Sequence, residues 1–106
     1  MMETPNIKYI DEIAGDDVQF RNKFIEILKM EFPIEKLEYS NSIHNNRTDE
    51  GSQIVHKLKH KFSVLGLEES YRLAVTFEEE LRLGNDRLKN EFQKVLDTIE
   101  TYLKTI

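Results

Sequence analysis

Cysteine is absent from the 106 residues, which removes disulfides, thiolate metal sites and cysteine nucleophiles at once. Tryptophan is absent too. Only two prolines and four glycines interrupt the chain, a scarcity of breakers that favours long helices over short strands. No apolar run reaches the length of a membrane span. The start, Met1-Met2-Glu3-Thr4-Pro5, has neither the basic stretch nor the apolar stretch of a signal peptide, so the expected location is the cytoplasm. Positive charge is in deficit, with 15 Lys and Arg against 20 Asp and Glu. A net charge of −5 leaves no broad basic surface for nucleic acid or an anionic membrane, and neither is an expected partner. There is no Gly-rich phosphate loop or Walker-type lysine, so the chain is not expected to hold ATP or act as an autokinase.

What is present is 39% hydrophobic and 33% charged, the balance of a soluble amphipathic helical domain. The length suits one domain over residues 1–106, with no repeat, low-complexity tract or linker. Helical spacing of Ile7, Ile10, Ile13 and Ala14 predicts a short helix over 7–14, stopped by Gly15. Asp16 and Gln19 read as the N-cap and partner of a second helix over 17–45. Its expected core face is Phe20, Phe24, Ile27 and Leu28, with a kink at Pro33 and then Ile34, Leu37 and Ile43. Thr48 or Asp49 is expected to cap a third helix ending near Gly66. A fourth, over 67–83, carries Leu67, Tyr71, Ala74, Phe77 and Leu81 on one face. A fifth begins near Asp86 and carries Leu88, Phe92, Val95, Ile99, Tyr102, Leu103 and Ile106. Four long amphipathic helices with short turns predict an all-α, antiparallel up-down four-helix bundle, the short N-terminal helix covering one end.

The run from His56 to Gly66, His-Lys-Leu-Lys-His-Lys-Phe-Ser-Val-Leu-Gly, departs from plain core patterning. At about 100° per residue and with His56 at zero, Ile54, Leu58, Phe62 and Leu65 fall between roughly 160° and 240°. That apolar stripe faces away from His56. Lys59, His60 and Ser63 fall at roughly −60°, +40° and −20°, so His56 is expected to be exposed and electropositive. An imidazole with an ordinary pKa of about 6.5 is unprotonated near neutral pH and serves as a nucleophile. Lys59, one turn on, is placed to balance a phosphoryl group on it by a charge-assisted hydrogen bond. Lys57 and Lys61 point more sideways and are expected to act at longer range.

His, then Leu two residues on, Lys three on, a small residue seven on and Gly ten on is similar to the histidine-containing phosphotransfer (HPt) domain of bacterial multistep phosphorelays. Here these are His56, Leu58, Lys59, Ser63 and Gly66. A short first helix ending in Ala14-Gly15, a second interrupted by Pro33, and the motif in the third also resemble that family's order, over essentially the full chain. The resemblance implies that His56 exchanges a phosphoryl group with receiver-domain aspartates of response regulators and hybrid sensor kinases. Mg²⁺ would belong to the receiver, and the carrier would need no cofactor of its own. It further implies that receivers dock on the first three helices, making Ile10, Ile13, Lys57, His60 and Ser63 candidate partner-binding residues. Gly66 would serve helix ending and close packing. One departure stands out: four residues after the acceptor the family usually has Gly, and this chain has His60.

Two other readings compete. A silent adaptor would dock a receiver without chemistry, and His60 in place of Gly favours it. His56 and His60 also have the i, i+4 spacing of two metal ligands, yet they lie opposite the core stripe, where no helix is expected to face them. The Glu78-Glu79-Glu80 run reads as a solvated face and His44 as a helix-end residue suited to the dipole. Phe20, Phe24, Phe62, Phe77 and Phe92 read as core, and a monomer is expected.

Overall fold

A computed structural model of the chain describes residues 3–106. Five helices follow in order: α1 (Lys8–Ala14), α2 (Val18–His44), α3 (Thr48–Val64), α4 (Glu68–Arg82) and α5 (Lys89–Leu103). Helix accounts for 78% of the described residues and no strand occurs among them, so the class is all-α. The starting signals differ in detail from those expected. Asp17, not Asp16, is the N-cap of α2, its carboxylate accepting from the Phe20 N–H at 2.9 Å. Neither Thr48 nor Asp49 caps α3; Arg47 holds that position without a side-chain bond, and Asp49 and Glu50 complement the dipole instead. α2 runs unbroken through Pro33 to His44, and α5 starts three residues later than predicted.

The first turn of α4 is capped from a distance. Glu3 accepts from the N–H groups of Glu69 and Ser70, both at 2.9 Å, satisfying two donors that a helix start leaves open. Partial burial would push the Glu3 carboxyl up, but these backbone donors outweigh it and hold it below the usual carboxylate range.

All five helices feed one core, from Ile10 of α1 to Leu103 of α5. At its centre the Phe92 ring lies 5.0 Å from Tyr39, 5.1 Å from Phe77 and 5.5 Å from Phe62, centroid to centroid and tilted, the geometry aromatic quadrupoles prefer. α3 packs between α2 and α4, and α5 packs on α2 and α4. The core face of α2 is Ile25, Leu28, Phe32 and Tyr39. Phe20, Ile27, Ile34 and Leu37, expected inside, are exposed, and Phe24 is half-buried. Ile10 is fully buried and offers nothing to a partner, whereas Ile13 is exposed.

Gly66 ends the α3 motif with φ +75°, and an added Cβ would lie 2.6 Å from the Asn6 amide nitrogen. Asn6 in turn donates its backbone N–H to Leu65 O at 2.9 Å, strapping the N-terminal segment to the α3–α4 turn. Gly84 has a similar φ of +82° in open space. Gly66→Ala is therefore expected to cost about 2 kcal/mol or more and Gly84→Ala about 1 kcal/mol. Urea unfolding of the two variants checks this, and equal losses would show that the Asn6 contact contributes nothing.

Candidate functional site

His56 sits on the outer side of α3, its side chain 54% exposed, because Ile54, Val55, Leu58 and Phe62 take the buried positions. A helix does face it. Glu78 of α4, 7% exposed, places its Oε2 3.1 Å from His56 Nδ1. The same carboxylate accepts from Lys59 Nζ at 2.8 Å and from Arg82 at 3.1 Å. Ser52 on α3 donates to the Glu78 backbone carbonyl at 3.0 Å, fixing α3 against α4 at that level. Burial would push the Glu78 carboxyl up, but the bonds and charges from Lys59 and His56 outweigh it and hold it below the usual range.

An ionised carboxylate only accepts, so Nδ1 is the nitrogen that carries the proton toward Glu78. In the neutral ring Nε2 then keeps its lone pair, and the ring stands at the edge of an open cleft of about 490 Å³ lined by Asp49, Ser52, Gln53, His56, Glu78 and Arg82. The arrangement is an imidazole oriented by a buried carboxylate, with its second nitrogen open to solvent.

The surroundings are not electropositive, contrary to expectation. Lys59, 13% exposed, is held by Glu78. Lys61, equally covered, lies 3.1 Å from both Glu31 and Glu35, and Lys57 is 3.8 Å from Glu38. Each lysine of the run thus has a carboxylate partner. Side-chain exposure singles out Arg82, at 58%, as the site's most accessible cation on Glu78.

His60 is exposed and its ring stands edge-on to that of His56, with centroids 5.1 Å apart. It also lines a separate groove of about 280 Å³ between α2 and α3, with Phe24, Ile27, Leu28, Glu31, Lys61 and Val64. Ser63 is exposed but lines a third cleft, with Asn6, Tyr9 and Gly66, away from His56. Among the described residues, no three His, Cys, Asp or Glu side chains converge as a metal ion requires.

Glu78 is the residue that sequence reasoning passed over, hidden in an acidic run. Its signal was positional: it falls four residues after Ala74 and three before Leu81, at the edge of the core stripe of α4, where a carboxylate needs partners.

Because the folded-state carboxyl lies below its ordinary 4.5, Glu78 contributes its stability in full above that value and loses it as pH falls through the lowered one. Glu78→Gln is expected to cost about 1–3 kcal/mol at neutral pH. The gap from wild type should shrink on acidification below 4.5, read by urea unfolding at both pH values; a gap independent of pH would mean that its charge is not what matters.

No family model, no curated protein and no solved structure matches the chain, so the reading of this site rests on its residue pattern and its geometry.

Proposed function

We propose that the chain is a phosphocarrier of the HPt kind, with α2 to α5 forming an antiparallel up-down four-helix bundle and α1 covering one end. Three-residue turns at 45–47 and 65–67 support that topology, since so short a link leaves consecutive helices side by side and reversed. The observation that carries the functional reading is the His56–Glu78 pair, a half-exposed imidazole whose Nδ1 is engaged and whose Nε2 is free.

In the forward step Nε2 attacks the phosphorus of a receiver aspartyl phosphate. A P–N bond forms, the P–O bond to the aspartate breaks, and that carboxylate leaves ionised. The ring, now substituted at Nε2 and still protonated at Nδ1, carries positive charge that Glu78 balances. The reverse step passes the group to a second receiver. In-line geometry and Mg²⁺ come from the partner. Lys57 and His60 flank His56 as partner-contacting residues, with the exposed Ile13 of α1 a further contact for the receiver; Lys59 acts through Glu78.

The adaptor reading draws on one observation, the His60 ring stacked edge-on against His56 where a small residue would open the approach. Transfer of labelled phosphate from a phosphorylated receiver separates the two. The carrier reading expects acid-labile label on the wild type, none on His56→Gln, equal or faster labelling of His60→Gly, and transfer slowed about tenfold in Glu78→Gln, the worth of one hydrogen bond in the transition state. A wild type that binds a phosphorylated receiver yet takes no label establishes the adaptor instead.

A further inference from the structure

The exposed side of α2 carries a second apolar face that neither the core nor the His56 site uses. Ile27, Met30, Ile34 and Leu37 are 38%, 58%, 58% and 63% exposed. Their 3-4-3 spacing puts them within about 80° of one another on the helix and roughly opposite Ile25, Leu28, Phe32 and Tyr39. This is the a/d spacing of a coiled-coil seam. A helix apolar on two sides is one that packs on two sides, and nothing among the described residues covers the second.

We propose that this seam is the interface of a homodimer in which α2 pairs antiparallel with α2 of a second copy. Three observations favour a second copy as the occupant. The seam is self-complementary about its midpoint: antiparallel pairing sets Ile27 against Leu37 and Met30 against Ile34, twice each, giving four filled layers. Its ends match as well, because Lys23 and Asn41 bound the seam and the same register brings the lysine donor to the amide acceptor. Its shoulders are largely paired within the chain: Glu38 lies 3.8 Å from Lys57 and Glu26 3.9 Å from Lys23, while Glu31 shares Lys61 with the more buried Glu35, each at 3.1 Å. A basic partner helix would find few unpaired carboxylates there, and a second copy meets little net repulsion.

Size sets the strength. The exposed fractions amount to roughly two whole aliphatic side chains per copy, which with the flanking residues is near the lower limit of about 1,000 Å² in total for a specific interface. The dimer is therefore a weak, concentration-dependent one. Ile27 also lines the groove beside His60, so pairing would cover one edge of that groove.

Sedimentation of the full chain from about 10 μM to about 1 mM tests this, spanning the range of a weak interface. The expected result is a rise from 12.6 kDa toward twice that mass, abolished by Leu37→Glu and by Ile34→Glu while circular dichroism shows unchanged helix. Since the chain has no cysteine, Met30→Cys and Ile34→Cys report the register directly. Mixed, they should form a disulfide-linked heterodimer several-fold faster than either forms a homodimer. A wild type monomeric at the highest concentration overturns the proposal, as does a dimer that survives both Glu variants, or preferential homodimer cross-linking, which would indicate parallel pairing.

Discussion

A carboxylate taken out of water is tolerated only where donors surround it, and the Glu78 carboxylate is the constraint on which the α3–α4 pair depends. Its three partners come from two helices: His56 and Lys59 from α3, one turn apart, and Arg82 from its own helix one turn on. A slip of α3 along α4 would strip the buried carboxylate of His56 and Lys59 and leave it Arg82 alone, an error costing roughly 3 kcal/mol, about the worth of a large core side chain. The polar cluster therefore specifies a register that the apolar contacts of Ile54, Leu58, Phe77 and Leu81 alone would leave looser. Ser52 reinforces it by donating to the Glu78 carbonyl one turn before His56. The same bonds that fix the register also fix which nitrogen of His56 faces solvent, so orientation of the imidazole is a by-product of holding two helices together.

How much of this was legible in the chain differs from helix to helix. For α3, α4 and α5 the periodicity of apolar residues located both the helices and their buried faces, because each has one apolar stripe and a polar remainder. The outward position of His56 followed from the same wheel. α2 was misread because it has two apolar faces, and periodicity cannot rank them; Phe20, Ile27, Ile34 and Leu37 fit helical spacing as well as Ile25, Leu28, Phe32 and Tyr39 do. What decides between them is which face the other helices can reach, a tertiary fact. Ile10 was misplaced for the opposite reason. A seven-residue helix has too few turns for a wheel to be informative, and its burial follows from how α1 lies on α2.

Long-range partners were invisible in the same way. Nothing near Glu68 announces that Glu3 caps α4, and nothing near Gly66 announces Asn6. Both belong to the segment before α1, which closes over the α3–α4 turn and so braces the far end of the helix that carries His56. Charge was misjudged most. Counting lysines along α3 suggests a positive surface, whereas in space Lys57, Lys59 and Lys61 are each answered by a glutamate from α2 or α4. An acidic chain of this size has enough carboxylates to neutralise a local basic run, and folding brings them to it.

That neutrality bears on how a phosphoryl group on Nε2 would be balanced. Lys59, the residue singled out by its spacing, is 13% exposed and tied to a carboxylate that burial makes costly to abandon, so swinging it outward would leave Glu78 one partner short. Arg82 is 58% exposed, reaches Glu78 through a single nitrogen, and lines the same cleft as His56. A guanidinium has donors to spare and binds phosphate oxygens in a fork without giving up every other contact. On the carrier reading, then, the labour divides by burial. Lys59 and Glu78 form the fixed pair that orients the imidazole, and Arg82 is the cation free enough to meet the incoming charge.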